Sequence, residues 1–239
     1  MINMENIVEE VHSILNNEMG KIKDKQYAIA YSGGLDSSLL LGLSDYKLIP
    51  YTLGFSDSRD FLNVDNASLI LNIHVKKIVL DNINIENYIN ELLKIDKSIT
   101  RMELGYELVL FILMDSISEK FVVTGQGADE IFYGYHRFLD NPRLKNDSYI
   151  NRLINVTLPR EKKMAEYYDK KLITPYLSPD LMKIRKGITR DMNISGNKNK
   201  MILREIAERI GMPESIYNIN KKAAQYGSGI NRYLLNNLK

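Results

Sequence analysis

The order of apolar and polar positions gives the chain two textures. Ile7, Val8, Val11, Ile14 and Leu15 recur at helical spacing, and the helix they predict ends near Gly20. Tyr27–Tyr31 (YAIAY) reads as a short buried strand; it runs into SGGLDSS, and Leu39-Leu40-Leu41 continues as a helix. Ile49–Gly54 predicts a second strand, and Ser58 is placed to cap a helix reaching about Asn72. Val75–Leu80 predicts a third strand. Ile85, Ile89, Leu92 and Leu93 form another helical stripe, and Glu103–Ser118 reads as a long apolar helix. Phe121–Thr124 predicts a fourth strand, followed by GQGADEIFYGY. This alternation predicts an α/β fold of βαβ units, a parallel twisted sheet with helices on both faces. The rest reads as a mainly helical C-terminal part, clearest at Met201–Ile210, with Gly211 past its end and Pro213 beyond. The polar segment Leu139–Ser148 marks the expected boundary between a core over 1–137 and a helical subdomain over 138–239. Pro175 and Pro179 punctuate a second loop. No long linker separates the halves, so one domain with a subdomain is expected.

Composition narrows this little. The chain has 239 residues, room for one large domain or two small ones. Its longest apolar run, Leu108–Met114, is far short of the ~20 residues a membrane span needs. The first residues lack a basic start and an apolar stretch, which argues against a secretory leader. The absence of Cys removes disulfides, thiolate zinc sites and Cys nucleophiles together, and a cytoplasmic setting is expected. Charge is nearly balanced, 32 basic residues against 30 acidic. Lys76-Lys77, Lys162-Lys163, Lys170-Lys171 and Lys221-Lys222 are too short to signal a nucleic-acid partner and read mostly as solvated faces.

The chemistry begins at Ser32-Gly33-Gly34-Leu35-Asp36-Ser37-Ser38. Adjacent glycines let the backbone turn sharply and approach an anion. The helix N-terminus that follows offers free N–H groups, and three hydroxyls add donors, which together suit a polyphosphate. Asp36 is out of place there unless a divalent cation separates it from the phosphates, so it argues for Mg²⁺. A Gly-rich turn with Asp36 as an ordinary first-turn acid is the plain structural alternative. Neither a Walker loop nor a dinucleotide fingerprint is present.

Thr124-Gly125-Gln126-Gly127-Ala128-Asp129-Glu130 again sets glycines at the carboxyl end of a strand, where open α/β sheets place their ligands. The expectation is one shared site, with Asp36 and Asp129 meeting over a metal–phosphate cluster. A turn capping the next helix is the alternative.

SGGLDSS resembles the PP-loop of N-type ATP pyrophosphatases (adenine nucleotide alpha hydrolase-like proteins), which cleave ATP between its α and β phosphates. GQGADEIFYGY resembles the G-E-G-S-D-E-x-F-x-G-Y element of the asparagine synthetase family. Lys200-Met201-Ile202-Leu203-Arg204 is similar to that family's K-x-I-L-R helix. Lys221-Lys222-Ala223-Ala224-Gln225-Tyr226-Gly227-Ser228-Gly229 is similar to its C-terminal lysine loop, nearest the version in β-lactam synthetases. The resemblance implies an AMP-forming amide ligase using ATP and Mg²⁺. It implies that Ser32, Gly33, Gly34, Asp36, Ser37 and Ser38 hold the β and γ phosphates. Asp36 and Asp129 would bind Mg²⁺, Ala30 and Leu53 would pack adenine, and Thr124 and Gly125 would lie beside AMP. Lys221, with Lys222 as its competitor, would stabilise charge developing on the α-phosphate and the acyl-adenylate.

Two departures stand out. The family's glutaminase domain, with its Cys nucleophile, is absent from this sequence, so free ammonia, a separate glutaminase subunit or another amine is expected. Gln126 stands where the family places Glu or Tyr, and Gln takes no proton at ordinary pH. Either the nucleophile arrives neutral, another group does the work, or the substrate is not aspartate. A tRNA-modifying PP-loop enzyme and a catalytically lapsed regulatory subunit are the alternatives. The near-neutral charge and missing Cys count against the first; joint retention of Asp36, Asp129 and Lys221 counts against the second. A small carboxylic acid and ammonia or an amine are the expected substrates, and a homodimer is the default assembly. His12, His74 and His136 do not cluster.

Overall fold

The computed structural model describes residues 3–22, 27–218 and 227–237. Five strands form one sheet: β1 (Tyr27–Ala30), β2 (Ile49–Gly54), β3 (Lys76–Val79), β4 (Phe121–Val123) and β5 (Lys171–Ile173). Their order is β3-β2-β1-β4-β5, and every neighbouring pair is parallel. The helices that position the site are α1 (Met4–Gly20), α2 (Leu35–Leu43), α3 (Arg59–Leu71), α4 (Ile85–Ile95), α5 (Arg101–Ser116) and the single turn α6 (Ala128–Ile131).

Successive strand residues point to opposite faces, and both faces are covered, as a parallel sheet requires. Ile29 and Val123 join a core with Val11 and Leu15 of α1, Leu39 and Leu40 of α2, and Ile202 and Ile206 of the helix Met201–Arg209. Their neighbours Ala28 and Val122 join the opposite core, with Leu92 of α4, Leu108 and Phe111 of α5, and Met164 of the helix Leu158–Tyr167.

The expected elements are present with small shifts. Ser58 Oγ accepts the Phe61 N–H at the start of α3, and Asn72 closes that helix in the left-handed conformation. The apolar helix begins two residues earlier than the periodicity suggested. Thr100 and Glu103 form a reciprocal capping box that starts it at Arg101. The fifth strand is the main difference from the four expected. It is three residues long and carries no pattern of its own. Its neighbour Lys170, expected on a solvated face, instead donates to the carbonyls of Ile117 and Glu119 at 2.8 and 2.9 Å, fastening the approach to β4.

From β1 the chain moves outward to β2 and β3 with α2 and α3 packed on the α1 face. It then returns through α4 and α5 on the other face to place β4 on the free side of β1. A right-handed crossover that reverses direction must change face. The reversal falls between β1 and β4, and open α/β sheets bind ligands outside the carboxyl ends of the strands at such a point. Both Gly-rich segments leave the sheet there.

Candidate active site

After β1 the chain turns through Ser32 and Gly33 into α2. Gly33 has φ +68°, a left-handed conformation that only Gly adopts freely, and a Cβ there would meet the Asn63 carbonyl oxygen at 3.1 Å. Gly34 caps α2 without a side-chain hydrogen bond. The first amides of α2 are therefore not spent on a capping side chain, which suits an anion. The hydroxyls hold the turn together: Ser37 Oγ accepts from the Ser32 N–H at 3.3 Å, and Ser38 Oγ lies 3.1 Å from the buried Tyr31 hydroxyl. The Tyr176 hydroxyl donates to the Asp36 carbonyl at 3.0 Å, fixing the carboxylate's own peptide from a distant segment.

After β4 the chain makes the second turn. The position a Cβ would take on Gly125 lies 3.2 Å from Asp36 Cβ, so the two turns touch. Asp36 and Asp129 converge as the sequence predicted, and a side chain with no role assigned from the sequence joins them. Lys200 Nζ donates to Asp36 Oδ1 at 2.8 Å and Oδ2 at 2.7 Å, and lies 2.7 Å from Asp129 Oδ1. Burial alone would lower the Lys200 pKa; attraction to Asp129 and Asp36 outweighs it and raises the value above the ordinary one. The turn after Asp129 is shaped around this contact. A Cβ on Gly134 would lie 2.0 Å from both Asp129 Oδ1 and Lys200 Cε, so a larger residue would push the two side chains from this contact.

Lys200 is itself tied down. It takes the left-handed conformation (φ +54°) before the helix Met201–Arg209. Asn199 Nδ2 donates to the Gly134 carbonyl, and Arg204 Nε donates to the Asn199 carbonyl at 2.7 Å. Arg204 also donates to the Tyr217 carbonyl and to Asn218 Oδ1, where the chain leads toward the lysine loop. On the far side of that loop, the Phe55 N–H donates to the Ser228 carbonyl at 3.0 Å. Both flanks of that segment are therefore held by hydrogen bonds, one to Arg204 and one beside the end of β2. Lys221 and Lys222 themselves lie outside the described residues.

The partner of Gln126 was also invisible in the sequence. Gln126 Nε2 donates to Glu161 Oε1 at 3.0 Å. Glu161 is buried, and its Oε2, with Glu107 Oε2 and Thr124 Oγ1, has no hydrogen-bond partner among the described residues. Burial first, then the charges of Glu107 and Glu130, push the Glu161 carboxyl well above its ordinary range. The next ring of the cluster is ionic. Arg160 meets Asp96 at 2.7 Å, Glu103 at 3.1 Å and Glu107 at 3.0 Å. Burial outweighs Arg160 at Glu107 and lifts its pKa to about 7. A signal for this cluster existed: Glu103 and Glu107 are spaced i, i+4 on an otherwise apolar helix.

Glu107 has a consequence for stability. Its folded pKa of about 7 exceeds the ordinary 4.5, so between these values the folded chain holds a proton that the unfolded chain lacks. Raising pH through that window removes stability, by at most ~1.4 kcal/mol per pH unit for one group. Glu107→Gln, which carries no titrating proton, is expected to flatten the slope. Urea midpoints at pH 5, 6 and 7 check this; an unchanged slope contradicts it.

The remaining predicted residues lie at the same edge. Ala30 and Leu53 pack in the α4–α5 core at the ends of β1 and β2. Buried Thr124 follows β4, its N–H bonded to the Ile173 carbonyl at 3.0 Å. The three histidines stay outside the site; His136, the nearest in sequence, is exposed and pairs with Asp140. No helix among the described residues is long and apolar enough to cross a membrane.

Asp36 and Asp129 suit Mg²⁺ chemically. They offer hard oxygen donors around a point the fold already furnishes with a cation, and Mg²⁺ commonly takes one or two carboxylates with phosphates and water completing its shell. Among the described residues no group of three or more His, Asp or Glu forms a self-sufficient metal site.

The chain is 27% identical over 246 aligned residues to a Methanocaldococcus jannaschii protein named as a glutamine-hydrolyzing asparagine synthetase, covering 84% of this chain and 45% of that protein. It is 29% identical over 109 residues to a Saccharomyces cerevisiae asparagine synthetase domain-containing protein, covering 44% of this chain and 20% of that one. The chain thus spans less than half the length of these curated relatives. Among solved structures, an NH3-dependent NAD synthetase from Campylobacter jejuni aligns over 80% of this chain and 95% of its own, with 15% identity and a TM-score of 0.37. At that level the likeness says nothing about function. The pattern described as asparagine synthase matches residues 18–172, more than half of the sequence, and on that match the chain belongs to the asparagine synthase family.

Proposed function

We propose that this chain is the synthetase part of an ATP-dependent, AMP-forming amide ligase. The observation that carries the reading is the meeting of Asp36 and Asp129 on one cation position at the sheet's switch point. In this reading Ser32, Gly33, Gly34, Ser37, Ser38 and the first amides of α2 hold the β and γ phosphates of ATP. Asp36 and Asp129 hold Mg²⁺, which when bound supplies charge neutralisation to the leaving pyrophosphate. Adenine packs against Ala30 and Leu53, and Thr124 and Gly125 flank the α-phosphate side.

A substrate carboxylate oxygen attacks the α-phosphorus, the bond to the β-phosphate oxygen breaks, and pyrophosphate leaves. The nitrogen of ammonia or an amine then attacks the acyl carbon, and AMP departs with the electron pair of the carbon–oxygen bond. Lys221 opposes the charge that develops at the α-phosphate and carbonyl. Gln126 cannot accept the nitrogen's proton, but it touches a group that can. Glu161, held 3.0 Å behind Gln126, takes that proton in this reading when its carboxyl is ionised, and Gln126 orients it. Aspartate or a related acid is the carboxylate, and the nitrogen comes as free ammonia, from a separate glutaminase, or as a different amine.

The test is isotope transfer. With Mg-ATP, ammonium and a panel of ¹⁸O-carboxylates led by aspartate, one acid is expected to pass a single ¹⁸O into AMP. Amide formed with no label in AMP overturns the adenylation step.

A further inference from the structure

The contacts of Lys200 go further than a passive ion pair. An ammonium carries three N–H donors. Here three carboxylate oxygens surround it, both of Asp36 and one of Asp129, all within 2.7–2.8 Å. These are oxygens a divalent cation would approach at ~2.0–2.1 Å, so ammonium and metal compete for them. The anchoring of Lys200 sharpens the competition. Its backbone is fixed through Asn199 to Gly134 and through Arg204 to Asn199, so only the side chain can yield. Its side chain is 10% exposed, and leaving the carboxylates without meeting another anion would strand a buried charge.

Charge counting gives the direction. Among the described groups, the two carboxylates and the ammonium sum to a single negative charge. Adding a dication alone makes the cluster positive while displacing the ammonium from its only two carboxylate contacts among the described residues. A polyphosphate arriving with the metal restores the balance and offers the ammonium a new anion.

Resting on the functional reading above, we propose that Lys200 is a resident counter-cation of the metal position. It excludes free divalent metal and obliges metal and nucleotide to enter together. The absence of a side chain at Gly134 makes the room that the Lys200 side chain occupies beside Asp129.

The test is Mn²⁺ binding to the full chain, followed by electron paramagnetic resonance. Without nucleotide, Lys200→Met is expected to bind Mn²⁺ at least ~10-fold more tightly than the unsubstituted chain. ATP tightens Mn²⁺ binding to the unsubstituted chain, and by reciprocity that enhancement shrinks by a similar factor in Lys200→Met. Mn²⁺ binding by Lys200→Met that is no tighter than that of the unsubstituted chain overturns the proposal. Should that variant not fold, ¹³Cε-lysine NMR of the unsubstituted chain decides, with Lys200→Arg assigning the signal. Mg²⁺ alone is expected to leave the Lys200 resonance in place and Mg-ATP to move it; full movement with Mg²⁺ alone overturns the proposal. The nucleotide-free comparison stands whether or not the chain turns over ATP. A chain that never binds ATP would sink the ligase reading without touching the exclusion of metal by Lys200.

Discussion

Asp36→Asn is expected to lower AMP and pyrophosphate formation on the order of 10³-fold or more. The substitution keeps the shape of the side chain, so the turn before α2 and the Tyr176 contact to the Asp36 carbonyl should survive. It removes the charge that holds a cation against the leaving phosphates. Asp129→Asn is expected to cost a comparable factor. The double variant should be little worse than either single one, because two residues acting on one cation are not additive. A steady-state assay of pyrophosphate release reads all three. A loss below ~10-fold in Asp36→Asn, or independent multiplicative losses, would separate these carboxylates from the chemistry.

The second large effect concerns stability. Arg160→Met is expected to cost ~3–5 kcal/mol, the usual consequence of removing one partner from a buried ionic cluster. Asp96, Glu103 and Glu107 all lean on this guanidinium, and the last two are fully buried on α5. Against a typical domain stability of ~5–15 kcal/mol, that is a large share. The loss should be greatest above neutral pH, where the stranded carboxylates are charged, and should shrink toward pH 5 as they take up protons. Urea denaturation at pH 8 and pH 5 measures both. A loss under ~1 kcal/mol, or one that grows as pH falls, would contradict the electrostatic account.

How much of this was legible in the sequence depends on the range of the interaction. β1, the SGGLDSS turn and α2 are local: a short apolar run, two glycines and an apolar helix announce themselves. The meeting of Asp36 with Asp129 followed from topology, since both turns leave adjacent parallel strands at the same edge. β5 was missed because three residues carry too short a pattern, and its place is set by β4 rather than by its own sequence. Glu161 was missed for another reason. A Glu in a Lys-rich helix reads as solvated, and only the packing of that helix on α4 and α5 buries it against Gln126. Lys200 was visible as part of a motif, but its role depends on a left-handed turn and a contact 164 residues away.

Gln126 is the clearest case of structure changing a sequence argument. Alone, it suggested that proton transfer was lost or that the substrate differed. The buried Glu161 carboxyl lies 3.0 Å from Gln126, behind the position where the resemblance places a titrating side chain.

The central claim is that the cation position at the switch point serves cleavage of ATP between its α and β phosphates. Product analysis of ATP turnover, with Mg²⁺, ammonium and a panel of carboxylic acids, tests it most directly. The account predicts AMP and pyrophosphate in equal amounts, dependent on one acid; ADP and inorganic phosphate would contradict it.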